Sequence, residues 1–447
     1  MRLQRVAFPP VAGCVALVGI ALSNVRAGDT AAGVTRSGRS VIAVAPAQQP
    51  VDDIQGGDED DRNGNSEARR YAGRTLDEWR GTMKDLAPAD PASAVHVPGL
   101  IALVRDPEIP AVTRRQAALT LGRIGPRAAD AVPLLIELLS GDSGTNHDPD
   151  LATATWAAKA LALFGPEARA AAPVLVRLHR DGWRTIGERA TAIEALGRIG
   201  AAHPAVLPAL IETLSAPPSG ADRDALRTAA EFRGLAAEAL GSIGPPASAA
   251  VPALVRAASD EDETVRRRVI AALGAMRDSA APAIATLVDA LAFDESPAVR
   301  DAAAAALGGI GAPAVPTLAH LLADRDQEIR LRSAAALADM GALAEPAVPA
   351  LETALADEVP AVRLRTAQAL WKVARKGDRT VPVAVGLLAN RDRQLRIAAS
   401  RLLVEIAPHD ARVADSLREL AESDESHIRR AAQETLEKIA RAAAKRD

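Results

Sequence analysis

AVRDAAAAALGGIGAPAVPTLAHLL, residues 298–322, contains a helix, a stop and the start of a second helix. Val299, Ala303, Leu307 and Ile310 lie at offsets of four, eight and eleven, which places them on one face of a helix. Gly311 supplies the stop. Val315-Pro316 then opens a new element, because proline suits the first helical turn, where its missing N–H would have no partner in any case.

The same phrase recurs along the chain. The stripe returns as Val265, Val269, Leu273, Met276; as Ile329, Ser333, Leu337, Met340; and as Val362, Thr366, Leu370, Val373. Two further copies are Leu395, Ala399, Leu403, Ile406 and Ile428, Ala432, Leu436, Ile439. Prolines open the other half of each unit at 98, 133, 173, 208, 252, 282, 316, 349 and 382, spaced 35, 40, 35, 44, 30, 34, 33 and 33 residues apart. A period in this range predicts a solenoid. Each Val-Pro is expected to start a helix. Gly125, Gly165, Gly200, Gly244, Gly311 and Gly341 are expected to end one in a left-handed conformation, with Pro126, Pro166 and Pro245 barring continuation.

Each unit is therefore a helical hairpin. A lone hairpin cannot cover its own stripe, but stacked neighbours can, and each buried Leu, Ile or Val then contributes about 1.5–3 kcal/mol. The small residues of Ala302–Ala306 and Ala334–Ala336 permit close approach of adjacent helices. At a spacing of about 8–10 Å between axes, roughly ten hairpins would form a curved rod about 100 Å long. The arginines at 266, 300, 330, 363, 396 and 429 are expected to pair with acids of neighbouring units as a ladder, each contributing modestly to stability.

The Asp-x-x-Val-Arg, Ala-Ala-x-Ala-Leu-Gly-x-Ile-Gly-Pro and Ala-Val-Pro-x-Leu phrases resemble HEAT repeats of the phycobilisome-lyase type. The resemblance spans residues 97–440 and is strongest from 251 onward. It implies an all-α, armadillo-like α-α superhelix, a HEAT-repeat solenoid of roughly ten hairpins. It also implies a protein-binding scaffold, the alternative being a bilin lyase-like enzyme or enzyme subunit. The di-iron hydroxylases of this fold class use repeated His-Glu pairs. None of the seven histidines here has such a neighbour.

Composition narrows the partner. The formal charge is −4, and residues 1–27 carry three arginines and no acid, so a chain cleaved there would stand at −7. That balance argues against nucleic acid or an anionic membrane as the main partner. Aromatic residues make up 2% of the chain, too few for an extended base-stacking platform. No cofactor is expected.

Residues 1–27 read as a signal peptide: Arg2 and Arg5, an apolar stretch from Val11 to Leu22, and Val25-Arg26-Ala27 as a cleavage pattern. Export to the periplasm or the medium is the expectation, with no membrane insertion after cleavage. Cys14 sits early in the apolar stretch, where a lipoprotein cysteine would follow it, so cleavage after Ala27 would leave a chain without thiols. Residues 28–70, with the acidic run Asp58–Asp61, read as a flexible linker. Residues 71–95 read as an N-terminal capping helix begun by the capping box Thr75–Glu78, and 96–447 as the solenoid.

No motif supports catalysis. Gly141-Asp142-Ser143-Gly144 matches a serine-protease signature but falls in a helix–helix turn, without the strands that build an oxyanion hole. Asp142, Asn146, Asp148 and Asp150 alternate as hard oxygen ligands for Ca²⁺ do, yet such residues also populate any long turn. The more informative feature is irregularity. The intervals of 40 and 44 residues insert length into the turns at 140–150 and 216–224, and between them a third turn carries Trp183. Equivalent turns share one edge of a solenoid. Asp142, His147, Asp148, Trp183, Arg184, Pro217 and Arg223 therefore form the candidate partner-binding ridge, with the adjacent concave surface built from the Val-Arg helices as the other candidate, and the alternative to both is drift in repeat length without function.

Overall fold

In the computed structural model, residues 69–87, 90–140, 152–182, 184–217 and 222–444 are described. They belong to one compact unit, Asn63–Asp447; Met1–Arg62, with the signal-peptide segment and most of the linker, lies outside the described residues. Among the described residues there is no strand, only an isolated bridge between Tyr71 and Arg74.

Helix α1 (Leu76–Asp85) precedes ten helical hairpins. These pair α2 (Val97–Arg105) with α3 (Ala111–Ile124), α4 (Val132–Ser140) with α5 (Ala152–Phe164), and α6 (Ala172–Arg180) with α7 (Ile186–Ile199). Next come α8 (Val206–Ser215) with α9 (Arg223–Ile243), α10 (Val251–Ala257) with α11 (Glu263–Ala275), and α12 (Ile284–Phe293) with α13 (Pro297–Ile310). The last four are α14 (Val315–Leu321) with α15 (Gln327–Met340), α16 (Val348–Ala354) with α17 (Pro360–Ala374), α18 (Gly377–Leu387) with α19 (Arg393–Ile406), and α20 (Arg412–Leu420) with α21 (Ser426–Ala443). The first helices form one layer and the second helices the other, as an all-α superhelix requires.

The junction between hairpins shows how the repeated phrase folds. Gly311 stands at φ 83°, ψ −144°, a mirror-extended conformation that side chains exclude, rather than the left-handed helical one expected. Gly125, Gly200, Gly244 and Gly341 share it, whereas Arg375, where a unit lacks the glycine, adopts the true left-handed conformation at φ 54°, ψ 29°. After Gly311 a 3-10 turn, Ala312–Ala314, leads into α14, with Pro316 in its first turn. The rule that proline opens the helix fails at Pro382, inside α18, which begins at Gly377, and at Pro282, in the 3-10 turn Arg277–Ala283 ahead of α12; at both junctions an arginine, Arg375 or Arg277, takes the positive φ in place of glycine.

All 24 stripe positions are buried or partly buried, with Val269, Leu273, Val299, Leu307, Leu337, Val362, Leu370 and Leu403 fully inaccessible. The second-layer helices touch through small residues. A Cβ on Gly274 would meet Ala306 Cα at 2.7 Å, one on Gly197 would meet Ala239 Cβ at 2.7 Å, and one on Gly241 would meet Ala272 Cα at 2.9 Å. The first glycine of Leu-Gly-x-Ile-Gly is thus a contact residue and the second a conformational one. At the N-terminal end the capping box of Thr75 and Glu78 forms, and Trp79 lies directly over Gly99 of α2, donating from Nε1 to the Tyr71 carbonyl at 2.8 Å.

The arginine ladder is present but alternates in kind. Arg266 donates to both carboxylate oxygens of Asp294, at 2.9 and 3.1 Å, and Arg330 to both of Asp357, at 2.7 and 3.0 Å. Arg233 grips Asp260 in the same way at 2.7 and 3.0 Å. Arg300, Arg363, Arg396 and Arg429 instead donate to main-chain carbonyls five or six residues back, so they close their own turn and reach no carboxylate of the next unit. Equal modest contributions are therefore not expected along the series. Burial alone would raise the Asp294 carboxyl, but the hydrogen bonds from Arg266 and the Ser296 N–H hold it below its usual range.

Candidate functional site

The edge carrying the turns inside each hairpin is uniform where the repeat is uniform, because its acids and arginines are used in the ladder. It changes at α9, whose 21 residues compare with 13 in α11 and 14 in α13 and α15. Asp222 starts α9 early by accepting from the Ala225 N–H at 2.7 Å. The helix then overhangs the ends of α6, α7 and α8 by about two turns. Between the overhang and those ends lies a cleft of about 800 Å³, within the range of ligand sites.

Its floor is a set of side chains that fix one another. His179, 7% exposed, contacts the Thr213 hydroxyl through Nε2 at 2.8 Å. That hydroxyl donates its single proton to the Ala209 carbonyl at 2.9 Å, so it must accept from His179, and Nε2 carries the imidazole proton. Nδ1 is then a lone pair, buried without a partner among the described residues. Burial pushes the His179 imidazole down to about 4, and the Arg189 charge pushes the same way, so the ring is neutral near pH 7. Phe232 meets His179 edge to face, with centroids 5.6 Å apart. Arg189 lies 4.6 Å above the Phe232 ring and donates from Nε to the His179 carbonyl at 2.8 Å. At the rim Arg180 pairs with Glu212. Pro217, Ala225 and Ala229 form apolar wall, and Ile186 stands 49% exposed beside them.

The candidate ridge residues divide accordingly. Asp142, His147, Asp148 and Trp183 lie outside the described residues, as do the protease-like tetrad and the Asp142–Asp150 turn. Pro217 lines the cleft. Arg223 is exposed at the first position of α9. Arg184 is 13% exposed and turned inward, reaching Glu188 at 3.2 Å and Asp181 at 3.7 Å; Glu188 also closes a capping box with Thr185. The cleft residues His179, Arg189, Thr213 and Phe232 were not singled out from sequence. Their signal was the 44-residue interval together with a phenylalanine, one of four in the chain, in the helix that follows it.

A second cleft, of about 760 Å³, lies beside α1. Its Arg74 is already held by Thr82 at 2.6 Å and by the face of Trp79. Among the described residues, no group of three or more His, Cys, Asp or Glu side chains is placed to hold a metal ion.

Family models place the repeats independently. A model of HEAT repeats matches residues 223–292, 284–371 and 348–437, and one of PBS lyase HEAT-like repeats matches 113–141 and 188–216. No curated protein matches. Among solved structures, a crystal structure of importin beta is 14% identical, covering 82% of this chain and 55% of its own, with a TM-score of 0.46. A yeast importin-beta is 12% identical, with coverages of 79% and 53% and a TM-score of 0.43. A karyopherin bound to the extreme C-terminus of a protein phosphatase is 13% identical, with coverages of 82% and 43% and a TM-score of 0.41. The chain spans about half the length of the importins it matches.

Proposed function

Because the chain belongs to the HEAT-repeat family, we propose that it is a non-enzymatic scaffold, exported by residues 1–27, that binds another protein through the edge at which α9 overhangs. The observation that carries this reading is the cleft under the overhang. In the regular units Arg266 and Arg330 are spent on buried carboxylates, whereas the α6–α9 region leaves an accessible concavity with polar and apolar walls. Solenoids expose more surface per residue than globules, which suits protein recognition. The matches to PBS lyase HEAT-like repeats are matches to helical units and assign no catalytic group, so the lyase-like alternative draws no support from the site.

The test places a photo-crosslinking amino acid at Pro217, at Asp224 and, as a reference on another exposed surface, at Asp415 of α20 in the full chain expressed in its own cell. Protein adducts from the first two positions and not the third are expected. Adducts from none, or equally from all three, would sink the reading. Adducts from a probe at Asp301 alone would move the partner site to the surface of the second helical layer. Export is checked separately: the protein recovered from the envelope or medium should begin at Gly28, and a chain found intact in the cytoplasm refutes that element.

A further inference from the structure

Arg189 differs from the other arginines around the cleft. Arg180 is paired with Glu212, Arg184 with Glu188, and Arg233 with Asp260. Arg189 is held only through Nε, on the His179 carbonyl, and through the face of its guanidinium, on Phe232. These two contacts restrain the group, and Nη1 and Nη2 have no partner among the described residues. A restrained guanidinium with two unused nitrogens matches the two oxygens of a carboxylate.

The surroundings narrow the ligand further. Glu212, Asp222 and Asp224 stand around the mouth, which disfavours a multiply charged anion such as phosphate more than a carboxylate. His179 is neutral, so it adds no positive charge to the cleft. A peptide carboxylate carries a single charge and brings a neighbouring side chain with it; inorganic phosphate does neither. The exposed Ile186 and Pro217, with Ala225 and Ala229, offer apolar wall to a neighbouring side chain.

We infer that the cleft docks a partner's peptide segment by its acidic residue, with the carboxylate gripped by Nη1 and Nη2 of Arg189 and an adjacent apolar side chain laid against Ile186 and Pro217. This rests on the protein-binding reading above and deepens it. Arg189 is the specificity determinant, and Phe232 and the His179 carbonyl are its positioning groups.

The experiment is selection of a displayed library of random twelve-residue peptides on the full chain, followed by a two-by-two comparison. Enriched peptides are expected to pair an acidic with an apolar residue. Changing that acid to its amide should weaken binding to the wild type roughly tenfold to a hundredfold, the range for a charge-assisted pair. Arg189→Met, which retains contact with Phe232, should weaken the acidic peptide equally and leave its amide form unaffected. Arg189→Lys, which keeps the charge without the fork, should fall between, and it serves as the test if the Met variant melts early. Inorganic phosphate should not displace the peptide; displacement would overturn the peptide assignment. Enriched peptides indifferent to both Arg189 variants would overturn this cleft while leaving protein binding intact. A selection returning no sequence above background would count against both.

Discussion

Replacing Arg330 and Arg363 by alanine, one at a time, should separate two kinds of ladder residue that look identical in sequence. Arg330 makes two bonds to Asp357, at 2.7 and 3.0 Å, and donates to the carbonyls of Asp324 and Arg325 at 2.9 and 3.2 Å. The Arg330 and Asp357 side chains are 8% and 9% exposed. Removing the guanidinium leaves Asp357 buried with only the Val359 N–H as partner. Breaking a buried pair from one side costs about 3–5 kcal/mol, and the surviving hydrogen bond puts this case near the lower limit, about 3 kcal/mol. Arg363 donates only to the carbonyls of Asp357 and Glu358, at 2.7 and 3.2 Å, and water can replace it at the latter, so its loss should cost about 1 kcal/mol.

The difference of about 2 kcal/mol is roughly a thirtyfold change in an equilibrium constant. A repeat array need not unfold in one step, so the readout is native-state hydrogen exchange of the α15–α17 amides, supported by urea unfolding of the whole chain. The double variant Arg330→Met with Asp357→Leu should regain most of the loss, because no charge remains to be stranded. Equal losses from the two alanine variants, or a larger one from Arg363→Ala, would refute the argument that the buried carboxylate sets the cost.

Gly274→Ala should destabilise by about 1–2 kcal/mol although alanine favours helix, because its methyl meets Ala306 Cα at 2.7 Å. Gly308→Ala, whose methyl would find neighbours only at 3.5–3.8 Å, should stabilise by about 0.5–1 kcal/mol, and thermal melts of the pair settle both. His179 titrates near 4 in the fold and near 6.5 when unfolded, so the unfolded chain takes up the proton first; stability is full above about pH 6.5 and falls as pH drops towards 4. The loss should reach about 2–3 kcal/mol, and His179→Phe should flatten that part of a stability–pH profile measured by urea titration. Below pH 5 the depressed Asp294 carboxyl adds a further loss, which Asp294→Asn should remove.

Nearly all of the fold was legible because its determinants are local and repeated. A stripe at offsets of four, eight and eleven reports one helix face, and six copies leave no other period to fit. The exceptions are also local. Pro382 falls inside α18 and Pro282 ahead of α12, both at junctions without the glycine stop, and a glycine's positive φ can be read from sequence while its ψ cannot. The ladder was half legible: position predicts that Arg330 and Arg363 face the same edge. Whether each finds a carboxylate depends on the residue one unit away, Asp357 for the first and Asn390 at the matching place for the second. The cleft was the least legible. Phe232 holds the first stripe position of α9 and Arg189 the ladder-arginine position of α7, but no spacing rule brings His179 of α6 to them.

The repeat's own chemistry explains why specificity should sit in the irregular hairpins. From α10 onward Arg266 and Arg330 are committed to buried carboxylates, so their charges are unavailable to a partner unless stability is sacrificed. A partner that competed for Arg266 or Arg330 would have to replace a two-bond contact that is already desolvated. Arg189 faces no such competition. Its one hydrogen bond and its aromatic stack leave the outer nitrogens open, and binding there costs the fold nothing it already uses. An interval lengthened to 44 residues adds helix outside the stacked register, and that added helix walls the cleft without breaking the ladder.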